Sequence, residues 1–177
     1  MVEKLSYRLA HWLKSEVPDH PYSEARLQFG FHLFLNTVLT LLAASVLGLL
    51  FDNYRETMQV LFAFGLLRMI SGGYHFKSAG VCIVVSAGVA ALLPFIELTN
   101  FYINLLNIAN MVLTIIFSPS RIEEQTRIPA KYFPVLKVGS TILVVSNFLF
   151  QSQLLAITWF IQVLSLIRLP RKGGETG

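Results

Sequence analysis

The chain has 177 residues, 54% of them hydrophobic and only 14% charged, with a formal net charge of +4 and a pI near 9.4. A water-soluble domain carries about a quarter charged residues, so this composition argues against an ordinary soluble protein. The fourteen Lys and Arg residues lie between apolar runs with no basic stripe interleaved with aromatics, which argues against a nucleic-acid partner.

In chain order, residues 1–16 place Val2, Leu5, Leu9, Trp12 and Glu16 at alternating three- and four-residue steps, with Lys4, Arg8 and Lys14 mostly off that stripe. This predicts an amphipathic helix lying in a membrane interface. Pro18-Asp19-His20-Pro21 breaks it, and Tyr22 to Arg26 lead onward. The stretch before Gly30 lacks a short apolar core followed by a small-residue cleavage site, so insertion is expected to use the first transmembrane helix itself.

Six apolar segments follow: Gly30–Phe51, Thr57–Ile70, Ala79–Leu98, Phe101–Phe117, Val135–Phe150 and Gln153–Ile167. The first is long enough to cross a hydrocarbon core of about 30 Å. The second is short and carries Arg68, so it either crosses or re-enters. Asn53-Tyr54, Thr99-Asn100 and Gln151-Ser152 are predicted to be tight turns between antiparallel helices.

Six crossings with a cytoplasmic N-terminus put Lys4, Arg8, Lys14, Arg26, Lys77, Arg121, Arg127, Lys131, Arg171 and Lys172 inside, and Arg68, Lys137 and Arg168 at inner helix ends. Only Arg55 of the fourteen basic residues falls outside. That asymmetry is the positive-inside pattern, and basic residues at both ends favour an even number of crossings. The expectation is an all-α membrane protein of about six transmembrane helices with both termini cytoplasmic. It is read as one domain over 1–177: an interfacial segment (1–26), a transmembrane bundle (27–168) and a tail (169–177).

The segment Arg68-Met69-Ile70-Ser71-Gly72-Gly73-Tyr74-His75-Phe76-Lys77-Ser78-Ala79-Gly80-Val81-Cys82 holds an arginine in an apolar run, a glycine pair, a histidine and the chain's single cysteine. One cysteine excludes an internal disulfide framework and a Cys-rich metal site, leaving a packing thiol or a nucleophile. On one continuous helix His75 and Cys82 would share a face but lie about 10 Å apart along the axis, too far for proton transfer. Gly72-Gly73 permits a bend. With His75 in a loop and a helix starting near Ser78, the imidazole can fold back on a thiol near the positive helix end, as a Cys-His nucleophile requires. The plainer readings are a packing cysteine and an interfacial histidine, with Arg68 snorkelling to headgroups. Ser71 and Ser78 could orient His75 or cap helices.

The run Arg68…Gly72-Gly73-Tyr74-His75…Cys82 resembles the accessory gene regulator B (AgrB) family of integral-membrane cysteine endopeptidases from Gram-positive quorum-sensing systems. The resemblance covers essentially the whole chain, through its length, apolar segments, amphipathic start and basic loop. It implies His75 as general base, Cys82 as nucleophile, and Arg68 and Gly73 as important neighbours. It also implies an AgrD-type propeptide substrate cleaved through a thioester acyl-enzyme, with an internal Cys or Ser of the peptide closing a thiolactone or lactone ring. The basic loop departs from the family pattern, with Ser118-Pro119 at its start and Ile128-Pro129 reversed near its end.

Two polar stripes remain. Gln28, His32, Asn36 and Thr40 align on the first transmembrane helix, and Asn107, Asn110 and Thr114 on the fourth. Interhelical hydrogen bonding explains them, with a translocation path as the alternative. His32 is the rival base to His75, while His11 and His20 read as interfacial or exposed and Glu97 as an end charge. Arg121, Arg127 and Lys131, mixed with Glu123 and Glu124, read as headgroup-binding or as a dock for an acidic propeptide end. No cofactor or metal is expected. The lipid bilayer and the propeptide are the expected partners, a homodimer is left open, and a small transporter or peptide exporter is the alternative function.

Overall fold

The computed structural model describes residues 2–74, 78–120, 122 and 128–167. His75 and Lys77, Arg121, Glu123, Glu124 and Arg127 of the basic loop, and Arg168 with the tail 169–177 lie outside the described residues.

The amphipathic start forms α1 (Val2–Glu16), with Glu3 in its first turn and Lys14 in its last, each complementing the helix dipole. Its buried residues are small, Val2, Ser6 and Ala10, while Tyr7 and Trp12 are exposed. The next helix, α2 (Glu24–Leu50), begins six residues ahead of the apolar run that predicts it. Glu24, Ala25, Arg26, Leu27 and Gln28 are good helix formers, and Ser23 holds the extended N-cap position. The limit of the apolar run therefore does not mark the limit of the helix.

At the far end of α2 the chain reverses through Asp52, in the left-handed region at φ 56°, and buried Asn53. The Asn53 Nδ2 donates to the Ala91 carbonyl at 2.9 Å, and its Oδ1 accepts from the Thr57 hydroxyl at 2.9 Å. Helix α3 (Tyr54–Ser71) follows at 18 residues, longer at both ends than the apolar run Thr57–Ile70. After the segment at 75–77, α4 (Ala79–Leu92) stops early and passes into a 3-10 turn at Leu93–Phe95. Pro94 has no N–H to continue the helical ladder. Helix α5 (Asn100–Phe117) matches its predicted run closely. The run Val135–Phe150 is split into α6 (Phe133–Val145) and α7 (Asn147–Phe150) at Ser146, and α8 (Gln153–Leu164) starts from Ser152, whose hydroxyl accepts from the Leu155 N–H. Gln151, at φ 49°, makes the tight turn before it.

The chain divides into two compact units, Met1–Leu61 with His75–Pro94, and Phe62–Tyr74 with Phe95–Gly177. In the first, α1, α2 and α4 pack together through small residues: Ser6 and Ala10 on α1, Ala44 and Gly48 on α2, and Ala79, Ala87, Ala90 and Ala91 on α4. A Cβ at Gly48 would sit 3.0 Å from the Tyr54 Cα, so glycine there lets the α2–α3 turn close. In the second unit α5 packs against α6 and α8, around a core of Leu67, Val144, Trp159, Val163 and Leu166.

Each unit buries polar side chains while leaving large apolar ones exposed. In the first, Asn36 is buried while Phe34, Leu49 and Val84 are 64%, 69% and 72% exposed. In the second, Asn107, Asn110, Thr114, Ser140 and Gln162 are fully buried while Phe101 and Leu149 are exposed. Hydrocarbon as solvent selects that distribution, because lipid tails neither drive apolar side chains inward nor satisfy amides. Among the described residues, three stretches are long and apolar enough to cross a membrane: Glu24–Leu50, Asn100–Phe117 and Ala130–Phe150. Ala79–Phe95 and Gln153–Leu164 are apolar but shorter.

Candidate functional site

The glycine pair is tied to two distant segments of the second unit, around Ser120 and around Ser165. Helix α3 ends at Ser71, and Gly72 and Gly73 follow at φ 74° and 120°, backbone that side chains other than glycine rarely adopt. Ser71 accepts from the Ser120 N–H at 2.9 Å, and the Gly73 N–H donates to the Ser120 carbonyl at 2.8 Å, so Gly72 and Ser120 form a short parallel bridge. A Cβ on Gly72 would collide with the Ser120 carbonyl oxygen, and one on Gly73 would meet the Ser165 hydroxyl at 2.5 Å. The Tyr74 N–H then donates to the Ser165 carbonyl at 2.9 Å.

Gln162 locks this exit from the side. Its fully buried amide donates to the Gly72 carbonyl at 2.7 Å and to the Ser71 hydroxyl at 3.2 Å. The Ser71 hydroxyl also donates to the Leu67 carbonyl at 2.8 Å. Arg68 turns back over the same exit. Its Nη2 donates to the Tyr74 carbonyl at 2.5 Å, and its guanidinium lies 5.8 Å from the Phe64 ring centre. Arg68, Ser71, Gly72 and Gly73 are thus brought together, as braces of the backbone that leads to His75. Sequence reasoning missed Gln162, Ser120 and Ser165. A glutamine in an apolar run was the available signal for the first, but nothing in the sequence says that it reaches back 90 residues to Gly72.

Cys82 belongs to the first unit. Helix α4 starts at Ala79 with Ser78 in the N-cap position, so the thiol is carried by the fourth helical residue. The Cys82 N–H is already bonded to the Ser78 carbonyl at 3.1 Å. The Ala79 N–H donates to the Glu3 carboxylate of α1 at 3.4 Å. Hydrogen bonds from the Glu3 backbone N–H and from that of Ala79 hold the Glu3 carboxyl below its ordinary value. A carboxylate therefore sits at the helix start whose positive end was expected to favour a thiolate. The exposed Ser78 makes no side-chain cap hydrogen bond among the described residues.

The sulfur is half-buried and meets two polar side chains. Asn36 of α2 directs Nδ2 at Sγ from 3.8 Å, and the Ser86 hydroxyl, one turn along α4, lies 4.0 Å away. Asn36 is 8% exposed, and its Oδ1 has no hydrogen-bond partner among the described residues. A buried carbonyl left so costs about 1–3 kcal/mol. His32, half-buried, stands one turn before Asn36 on α2. The stripe Gln28, His32, Asn36 and Thr40 thus includes a contact with the thiol. Of the α5 stripe, Asn107 is bonded to Asn147 in both directions and the Asn110 Nδ2 to the Ala156 carbonyl, while the Asn110 Oδ1 and the Thr114 hydroxyl have no hydrogen-bond partner among the described residues.

A helical chain with apolar exteriors, buried amides and one thiol near the start of a helix defines the class as a membrane protein with a candidate nucleophile. A family model described as Accessory gene regulator B matches residues 6–169, and the chain belongs to that family. It is similar to an AgrB-like protein of Clostridium perfringens strain SM101, 26% identical over 102 residues, which cover 58% of this chain and 48% of that relative. An AgrB-like protein of Halalkalibacterium halodurans is 28% identical over 102 residues, 58% of this chain and 52% of the relative. The chain's matched segment thus spans about half the length of these curated relatives. No solved structure matches the chain.

Proposed function

We propose that this chain is a membrane-embedded cysteine endopeptidase that removes the C-terminal part of an AgrD-type propeptide, with Cys82 as nucleophile and His75 as general base. The observation that carries this reading is the family match from residue 6 to residue 169, which takes in the chain's one cysteine. In the proposed reaction His75 takes the thiol proton and Sγ bonds to the scissile carbonyl carbon. The C–N bond then breaks, the departing amine receives the proton, and a thioester remains. A Cys or Ser of the peptide attacks that thioester, closes a thiolactone or lactone ring and returns the Cys82 thiol. Water exclusion at the membrane surface favours ring closure over hydrolysis.

In this reading six helices cross the bacterial cell membrane, with both termini and the active site at the cytoplasmic face. The 18 residues of α3 extend over about 27 Å, the length a crossing needs, but with Arg55, Glu56 and Arg68 this helix is not among the three stretches both long and apolar enough. Arg68, Ser71, Gly72 and Gly73 act by holding the approach to His75, and Ser78 begins the helix that presents Cys82. The exporter alternative draws on the buried polar row of α5, where Asn107 and the Asn110 Nδ2 are engaged in bonds between helices and the Asn110 Oδ1 and Thr114 hydroxyl have no partner among the described residues.

The test is cleavage of a co-expressed AgrD-type propeptide in membranes, with Cys82→Ala, His75→Ala and His32→Ala compared at equal insertion. The first two are expected to abolish cleavage and His32→Ala to retain it. Cleavage that survives both Cys82→Ala and His75→Ala would sink the peptidase reading, and loss in His32→Ala with activity in His75→Ala would transfer the base to His32.

A further inference from the structure

Asn36 is the buried amide of the first unit that packing alone leaves half-used. Asn53, in the same unit, has both ends of its carboxamide engaged, Nδ2 with the Ala91 carbonyl and Oδ1 with the Thr57 hydroxyl. Asn36 spends Nδ2 on the Cys82 sulfur at 3.8 Å, and its Oδ1 faces no donor among the described residues. It is 8% exposed on a helix whose other faces carry Phe34 and Leu41 outward, so solvent does not complete it. Buried polar atoms in native proteins are overwhelmingly paired. Among the described residues Asn110 Oδ1, Thr114 Oγ1, Thr158 Oγ1 and Trp159 Nε1 are also unpaired, but Asn36 is the one whose amide contacts the Cys82 sulfur, and an exception there points to a ligand that completes it.

We infer that Asn36 is a catalytic residue for acyl transfer at Cys82, its Nδ2 serving the sulfur and then the oxyanion, and its Oδ1 receiving a backbone N–H of the bound peptide. This rests on the reading of Cys82 as nucleophile. An amide N–H hydrogen-bonds a thiolate more strongly than a thiol, because the acceptor is charged. When Sγ bonds to the carbonyl carbon, the π pair moves onto the carbonyl oxygen, which then lies two bonds from sulfur. A donor already 3.8 Å from that sulfur reaches the roughly 3 Å separation of an oxyanion hydrogen bond. Collapse of the intermediate returns the pair to the carbonyl as the C–N bond breaks and the amine leaves with the proton. The vacant Oδ1 gives the substrate class a specific requirement: a peptide N–H donor next to the scissile carbonyl, which a simple ester lacks.

Two measurements on the full chain in lipid nanodiscs test this. Cys82 is the only cysteine, so alkylation by iodoacetamide reads its reactivity without other substitutions. Asn36→Leu, which keeps the size and removes both polar ends, is expected to slow alkylation about tenfold at one fixed pH. It should also lower kcat for propeptide cleavage about 10²-fold, as loss of one oxyanion donor does, with KM changed much less. Asn36→Asp, isosteric but negative, is expected to slow alkylation further, and it serves as the test should the leucine variant not insert. Wild-type alkylation and kcat in either inserted variant overturn the inference. If Cys82→Ala abolishes cleavage while an inserted Asn36 variant behaves as wild type, this inference alone falls. If Cys82→Ala still cleaves, the peptidase reading falls and takes this inference with it.

Discussion

Replacing Gly72 by alanine tests whether the exit from α3 is a built device or an incidental loop. The perturbation has two parts. At φ 74° an L-residue pays the left-handed penalty of about 1–2 kcal/mol. The added Cβ also collides with the Ser120 carbonyl, backbone that must move. Moving it disturbs the Gly73-to-Ser120 and Ser120-to-Ser71 hydrogen bonds, each worth about 0.5–1.5 kcal/mol. The sum is a loss of about 2–5 kcal/mol. Unfolding in mixed micelles, followed by the fluorescence of Trp159, reads this directly, because Trp159 lies in the core that packs beside this exit. Trp12, 57% exposed, is replaced by Phe in both proteins to leave one reporter. Gly30→Ala is the internal control. It lies in α2 with nothing within 4 Å of a new Cβ, and should be neutral or stabilising by up to about 1 kcal/mol. A Gly72→Ala variant within about 0.5 kcal/mol of its parent would refute the reasoning, since the left-handed penalty alone exceeds that.

Other expectations follow from the same contacts. Gln162→Leu removes the donor to Gly72 and Ser71 and should cost about 1–3 kcal/mol in the same unfolding assay, with propeptide cleavage reduced. Arg68→Ala should insert normally yet lower cleavage about tenfold or more, because a charge-assisted bond to the Tyr74 carbonyl is lost; Arg68→Lys should recover part of it, and cleavage unchanged by Arg68→Ala would contradict the bracing role. Glu3 gives a pH signature. Its carboxyl is held low by its own backbone N–H and that of Ala79, so its contribution is present above the unfolded value and is lost as pH falls through the folded one. Acidification should therefore loosen α1 from α4, and Glu3→Gln should flatten that acid-side loss when stability is followed by proteolysis of α1.

Much of the fold was legible because hydrophobicity along the chain is a local property. The runs of apolar residues located α2, α5 and α8, and the three- and four-residue steps of Val2, Leu5, Leu9 and Trp12 located α1. Helix limits were less legible, because polar helix formers such as Glu24 and Arg26 continue α2 past its apolar run, while Pro94 ends α4 inside one. Among candidate site residues, Arg68, Gly72, Gly73 and Cys82 stood out by chemical oddity in their surroundings. Gln162 did not, since a lone amide in a membrane helix reads as packing until its partner is known, and Asn36 was legible as a member of a polar stripe that bonds between helices but not as the neighbour of Cys82.

The sequence by itself thus determined the solvent of this protein, its helical class, its family resemblance and the short segment in which its unusual residues gather. Each is written in composition or in spacings of a few residues. Only the tertiary structure decided that Gln162 and Ser120 close over the glycine pair, that Glu3 occupies the start of the helix bearing Cys82, and that Asn36 faces the sulfur. Those contacts join residues tens of positions apart, and in the first unit small side chains such as Ala44, Gly48 and Ala87 let helices come close enough for a single amide to reach across.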